Sequence, residues 1–188
     1  STDFFKYLLE VKREKGAQWM SCALGFKTSY MAMAEFTPRD NLSLSLMYQH
    51  SNEDNWLNWI EGNLLGIYKS KQRVTVASMN WFGGDKHELR MKAQMVAFTA
   101  RQPSAYLGDA TGSLNPIEMA LPPFSLSDLA FQIRYRYEIL PLAYLYVVYT
   151  KGGRIVELDE EDSLDKLYKR PWNDPQADNF TVKVRYRF

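Results

Sequence analysis

The sequence predicts an all-β chain, an antiparallel transmembrane β-barrel unit of about eight strands, alone or as a segment of a larger barrel. Three observations point there. The first is the ending: Phe180, Val182, Val184, Tyr186 and Phe188 fall on one face of a strand, and Thr181, Lys183, Arg185 and Arg187 fall on the other. Side chains alternate across a strand, so one face is apolar and the other cationic, as the closing strand of a membrane barrel requires. The second is that short and long connections alternate along the chain. The third is composition. Aromatics are plentiful (Tyr 12, Phe 10, Trp 5), yet no run approaches the roughly 18 apolar residues of a spanning helix.

Taken in order, the first strand runs about Asp3–Lys12, with Phe5, Tyr7, Leu9 and Val11 on one face. The second, about Trp19–Thr37, carries Cys22, Leu24, Phe26, Thr28, Tyr30, Ala32, Ala34 and Phe36 together. Pro38-Arg39-Asp40-Asn41 then turns the chain, because Pro cannot donate to a ladder and Asp and Asn bond their own backbone. The third strand sets Leu42, Leu44, Leu46 and Tyr48 against Ser43, Ser45 and Gln49. Trp56–Ile60 and Leu64–Tyr68 read as arms of an extended hairpin about Glu61-Gly62-Asn63. The fourth strand is about Arg73–Phe82, its apolar face ambiguous, and Gly83–Lys86 is a short turn. Strand five, Glu88–Thr99, places Leu89, Met91, Ala93, Met95 and Ala97 opposite Glu88, Arg90, Lys92 and Gln94. Strand six, Asp128–Ile139, places Leu129, Phe131, Ile133, Tyr135 and Tyr137 opposite Gln132, Arg134, Arg136 and Glu138. Leu140-Pro141 leads into strand seven, Leu142–Lys151, apolar on both faces, and the terminal strand is the eighth.

The turns near Pro38, Gly83 and Pro141 are short, while 51–70, 101–127 and 152–179 read as long connections. Outer-membrane barrels have short periplasmic turns and longer extracellular loops, and placing Phe188 on the periplasmic side puts all three short turns there. In the last connection, Ser163–Lys169 reads as a short helix that Pro171 and Pro175 stop. A soluble lipocalin-like barrel has a similar strand count and alternation. Against it stand the mixed charges of the polar faces and the aromatics near strand ends: Trp19, Phe36, Tyr48, Trp81, Tyr137 and Phe188. The Gly-x-Trp motif of lipocalins is also missing, since Gly16-Ala17-Gln18-Trp19 has the wrong spacing.

The chain of 188 residues is one domain by length, and a net charge of +1 implies no nucleic-acid partner. Its single cysteine, Cys22, forms no internal disulfide and reads as a small apolar side chain. An exported barrel is made with a signal peptide, and Ser1 begins without one, so the sequence reads as a mature product, a processed piece or a fragment.

Motifs for chemistry are sparse. Outer-membrane lipid hydrolases carry His-x-Ser on a barrel wall, where one intervening residue puts base and nucleophile on the same face. Here His50 and Ser51 are adjacent, so a strand sends them to opposite faces. A hydrolase using His50 is the second alternative reading. His87 sits beside a short turn, at the wrong end for a rim site. The Asp159-Glu160-Glu161-Asp162 run with Asp165 lacks calcium-loop spacing, and Gly108–Gly112 matches no phosphate cradle; both read as loop. No catalytic residue, cofactor or metal site is assigned. The cationic rows carry more: Arg90, Lys92, Arg134, Arg136, Lys183, Arg185 and Arg187 project to the proposed lumen. A closed eight-strand barrel is nearly filled by side chains, and Glu10, Glu35, Glu88 and Glu138 are too few to pair them. A wider, wet barrel or an added acidic element would resolve the imbalance.

Residues from about Gln72 to Phe188 resemble the C-terminal barrel of a large outer-membrane family whose members join a carbohydrate-binding-like β-sandwich to a membrane barrel. The likeness lies in Asn80-Trp81-Phe82, His87–Lys92, Phe131–Glu138, Pro141–Tyr149 and the closing Val184–Phe188. The resemblance implies a Gram-negative outer membrane and brings no catalytic residues. It also implies that other strands, from elsewhere in a longer precursor or another chain, complete the barrel. The expected function is a pore, or part of a transport or secretion barrel, with a cationic lumen. The first alternative is a small closed barrel that anchors or binds a partner through its long loops. The expected partners are membrane lipid, the barrel-assembly machinery that reads the Phe180–Phe188 ending, and protein chains that complete or plug the barrel.

Overall fold

The structure, a computed structural model, describes residues 5–15, 26–158 and 163–186, with side chains from Phe26 onward. The expectations for Asp3, Trp19, Cys22, Leu24, Asp159–Asp162, Arg187 and Phe188 lie outside the described residues. The strands are β1 Phe5–Lys15, β2 Phe26–Arg39, β3 Leu42–Glu61, β4 Leu64–Gly83 and β5 His87–Gly108. They continue with β6 Leu114–Ile117, β7 Phe124–Leu140, β8 Ala143–Leu158, the helix α1 Leu164–Asn173, and β9 Ala177–Arg185. All pairings are antiparallel, in the order β1-β2-β3-β4-β5-β7-β8-β9, with β6 appended to β5. The eight-strand meander is therefore as expected. Closure is not: among the described strands β1 and β9 each have one neighbour, so the sheet is open.

The three short turns form where Pro, Gly and Asn place them, and Gly84 takes a left-handed φ of 62°. The long connections differ from expectation. Within 51–70 the expected hairpin forms about Glu61-Gly62-Asn63, where Gly62 has φ 48°, but it is no separate connection: its arms are β3 and β4 themselves, running on past a bulge. β5 likewise continues to Gly108 and β8 to Leu158. What holds these extensions is apolar packing on the polar-sided face, where Trp56 meets Phe98 at 5.0 Å and Tyr68 meets Phe124 at 5.5 Å between ring centroids. Aromatic pairs of this kind stabilise cross-strand neighbours well beyond the length a bare loop would keep.

The register assigns faces. Leu46, Ala77, Ala93 and Phe131 lie directly opposite one another, as do Tyr48, Thr75, Met95 and Leu129, so the apolar sides of β2–β9 form one face. The ambiguity in β4 is thereby removed: Trp81, Met79 and Ala77 join that face. On it Tyr30, Phe36, Leu46, Phe180, Val182 and Val184 are exposed.

Helix α1 lies across this apolar face. Ser163 caps it, accepting from the Lys166 amide. It runs further than expected, with Pro171 inside rather than ending it. The physical reason lies in the sheet. Proline at position i leaves the carbonyl of i−4 without its helical donor. That carbonyl belongs to Leu167, and the buried Ser127 hydroxyl of β7 donates to it instead. Leu167 and Pro171 are buried against β7, and Tyr168 shares a 2.8 Å hydrogen bond with Thr75 of β4.

Candidate functional site: an arginine cluster on the polar face

Strand alternation and register carry Glu88, Arg90, Lys92, Arg134, Arg136, Lys183 and Arg185 to the face opposite α1. The rows are specific. Glu88 of β5 stands opposite Arg136 of β7, which stands opposite Tyr146 of β8, which stands opposite Lys183 of β9. One row on, Arg90 and Arg134 are directly opposed. Like charges facing each other across a ladder repel, so the pair requires an anion or ample water.

Glu88 supplies the one carboxylate at this end among the described residues forming ion pairs here. Its side chain is only 10% exposed, bonds the Arg90 guanidinium, and meets Arg136 Nη2 at 2.7 Å. Arg136 also lies 5.4 Å over the Tyr144 ring, an aromatic contact that holds the guanidinium flat against β8. Glu88, Arg90, Arg134, Arg136 and Tyr146 line a hollow of about 180 Å³. Three guanidiniums against one carboxylate leave a site that can receive an oxyanion by bidentate hydrogen bonds. Of the predicted lumen residues, Arg90, Arg134 and Arg136 come together; Lys92, Lys183 and Arg185 extend the same face without lining the hollow.

The aromatic partners Tyr144 and Tyr146 were not singled out in the sequence. Strand seven reads as apolar on both faces there, and only the register with Arg136 and Lys183 gives them their place. A second cationic hollow, about 650 Å³ between Lys69, Lys71, Thr99, Arg101 and the start of α1, was hidden because Lys69 and Arg101 read as parts of separate connections.

His50 and Ser51 sit in continuous strand and point to opposite faces, with Ser51 buried. His50 lies opposite Arg73 under α1. His87 is engaged at the opposite end: it bonds the Tyr135 hydroxyl at 2.7 Å and stacks on Tyr137. In the 108–113 turn, Asp109 accepts from the Thr111 hydroxyl and from the amides of Thr111 and Ser113, which explains that stretch as a turn lock. Among the described residues no three His, Cys, Asp or Glu gather as for a metal ion. No described helix is long and apolar enough to cross a membrane, which says nothing of crossing by strands.

The chain matches no protein-family model, no curated protein and no solved structure. The resemblance drawn above therefore rests on its sequence motifs alone.

Proposed function

We propose that this chain forms the wall of an outer-membrane β-barrel whose cationic lumen conducts or guides anionic solutes, as a pore or as part of a larger transport barrel. The observation that carries the reading is a bounded apolar band. On the apolar face each strand runs through apolar residues and then turns polar: β2 at Thr28, β3 at His50, β4 at Thr75, β5 at Thr99, β7 at Ser127, β8 at Lys151 and β9 at Asp178. The margin falls unevenly across the sheet. Thr28 and Thr99 both stand in the row of Asn52, Thr75 stands in that of Tyr48, and Lys151 and Asp178 stand together in the row of Phe131 and Leu46. From Asn52 to Leu46 is six residues over the six steps from β2 to β9, an average of one residue per strand.

One residue of about 3.3 Å per strand spacing of about 4.8 Å is a slope of about 35°, the tilt of strands in a barrel wall. On β5 the band spans Leu89 to Ala97, eight steps, roughly 26 Å along the strand and about 22 Å once tilted. Barrels display an apolar belt of about 25 Å. Aromatics sit at its edges: Trp81, Tyr137 and Phe36 at the short-turn side, Tyr30 and Tyr48 at the other. The band is narrower on β4, Ala77 to Trp81, yet it ends in a polar residue on each of these seven strands, which a soluble barrel with its apolar side inward has no reason to show.

The test is the refolded chain in detergent micelles on a gel, with and without boiling. A heat-dependent mobility shift is expected; no shift, with solubility in plain buffer, refutes the membrane reading. Planar-bilayer conductance then checks the lumen. Anion-selective openings that lose selectivity in Arg90→Gln/Arg134→Gln are expected, and cation selectivity would overturn the assigned polarity.

A further inference from the structure

Helix α1 touches the sheet where the apolar band ends. Its contacts on β4 are Arg73, which meets Asp165 at 2.6 Å, and Thr75, bonded to Tyr168. On β7 it receives the Ser127 hydroxyl, and on β8 Trp172 lies 5.1 Å from the Lys151 ammonium. Thr75, Ser127 and Lys151 are the first polar residues past the band on their strands, and Arg73 is the next on β4. A helix making these contacts runs parallel to the slanted margin.

The helix is also divided across that margin. Asp165, Tyr168 and Trp172 share one side: Asp165 and Tyr168 meet Arg73 and Thr75 just past the margin, and Trp172 reaches the band, packing edge-on against Phe131 at 5.4 Å. Arg170 is on the other side and pairs with Glu157, beyond the margin. Lys166 and Lys169 are exposed, and Trp172 keeps 43% of its surface open. Aromatics toward hydrocarbon and lysines toward water is the arrangement of a helix lying in a membrane interface.

We propose that α1 is an interfacial helix, seated on the lipid surface at the long-connection rim, with Tyr168 and Trp172 at the acyl boundary and Lys169 against headgroup phosphates. The proposal rests on the membrane reading, and the experiment separates the two. The probe is a nitroxide on a single cysteine at Lys169→Cys in the Cys22→Ser background, with Leu46→Cys as the band reference, in phosphatidylglycerol vesicles. Collision rates with oxygen and with a water-soluble nickel chelate report depth, and ³¹P line broadening reports contact with phosphate. With Leu46 in hydrocarbon, the expected result at Lys169 is headgroup depth with ³¹P broadening at least about twofold above that from Gly62→Cys. Leu46 in hydrocarbon with Lys169 fully aqueous and no excess broadening overturns the helix proposal alone. Leu46 in water overturns the membrane reading and this proposal with it.

Discussion

The band makes a quantitative prediction on β5. Arginine placed singly at Leu89, Met91, Ala93, Met95 and Ala97 samples the apolar face at steps of two residues, about 6.6 Å along the strand and about 5.4 Å in depth at a 35° tilt. Ala93 lies about 11 Å from either end of the series by that spacing, near the proposed midplane. A charged side chain on the lipid face costs about 2–4 kcal/mol at the midplane and about 0–1 near the interfaces. The expected profile is thus a single peak at Ala93→Arg, lower values at Met91→Arg and Met95→Arg, and near-neutral ends. At Ala97 the shelter of α1 adds an overpacking cost of about 1–3 kcal/mol, because Ala97 is fully buried and the larger side chain has no room. Leu89→Arg is therefore the cleaner end point. Gln94→Arg, on the exposed polar face, is the internal control and should cost under 0.5 kcal/mol. The assay is urea unfolding from short-chain phosphatidylcholine bilayers, followed by tryptophan fluorescence. A flat profile, or one in which Gln94→Arg costs as much as Ala93→Arg, refutes the band argument whatever the barrel's function.

Two further predictions concern the site and the helix. Glu88→Gln leaves Arg90 and Arg136 facing without their carboxylate; since both guanidiniums are about half exposed, the loss is expected at only about 1–2 kcal/mol in the same unfolding assay, and adding Arg136→Gln should recover part of it. Ser127→Ala removes the donor to the Leu167 carbonyl and should cost about 1–3 kcal/mol, whereas in a Pro171→Ala background the restored helical amide should make it nearly neutral; equal costs in both backgrounds refute the assignment.

Strand identity and faces were legible because alternation is dense: Leu42–Tyr48, Glu88–Ala97 and Leu129–Tyr137 each carry several apolar and polar turns of the same period. Where the two faces are both apolar, as in Tyr144–Val148, period carries no information and the register with β7 decides. The hairpin arms Trp56–Ile60 and Leu64–Tyr68 were legible, but their continuity with β3 and β4, and the extension of β5 past Arg101, were not, for a related reason. Their stabilising partners, Trp56 with Phe98 and Tyr68 with Phe124, come from strands about 30 to 60 residues apart, and no local window contains both members. Helix α1 ended too early in the sequence reading because a proline rule assumes the orphaned carbonyl stays unsatisfied, and Ser127 lies 40 residues upstream of it. The arginine cluster was visible as rows, but its one carboxylate partner could not be chosen among four glutamates without the Glu88–Arg136 register.

On the proposed membrane reading, the two open edges among the described strands bear on what kind of barrel the sheet would belong to. Eight meandering strands leave β1 and β9 running antiparallel, so they can meet each other or be joined by an even number of added strands. A closed eight-strand interior is just wide enough for side chains to fill. Here the polar face is already occupied at one end by Trp56, Phe98 and Phe124, and at the other by Arg90 opposed to Arg134 beside Lys92 and Lys183. Sealing the second group from water would leave more cations than the carboxylates of Glu35, Glu88 and Glu138 on that face can neutralise, and an uncompensated buried charge is far more costly than a paired one. On the membrane reading, added strands relieve this at no cost to the band, because the slant of one residue per strand continues across any number of them. The same cations that crowd an eight-strand interior become the wetted lining of a wider one, and the anion selectivity proposed for the lumen follows from that width.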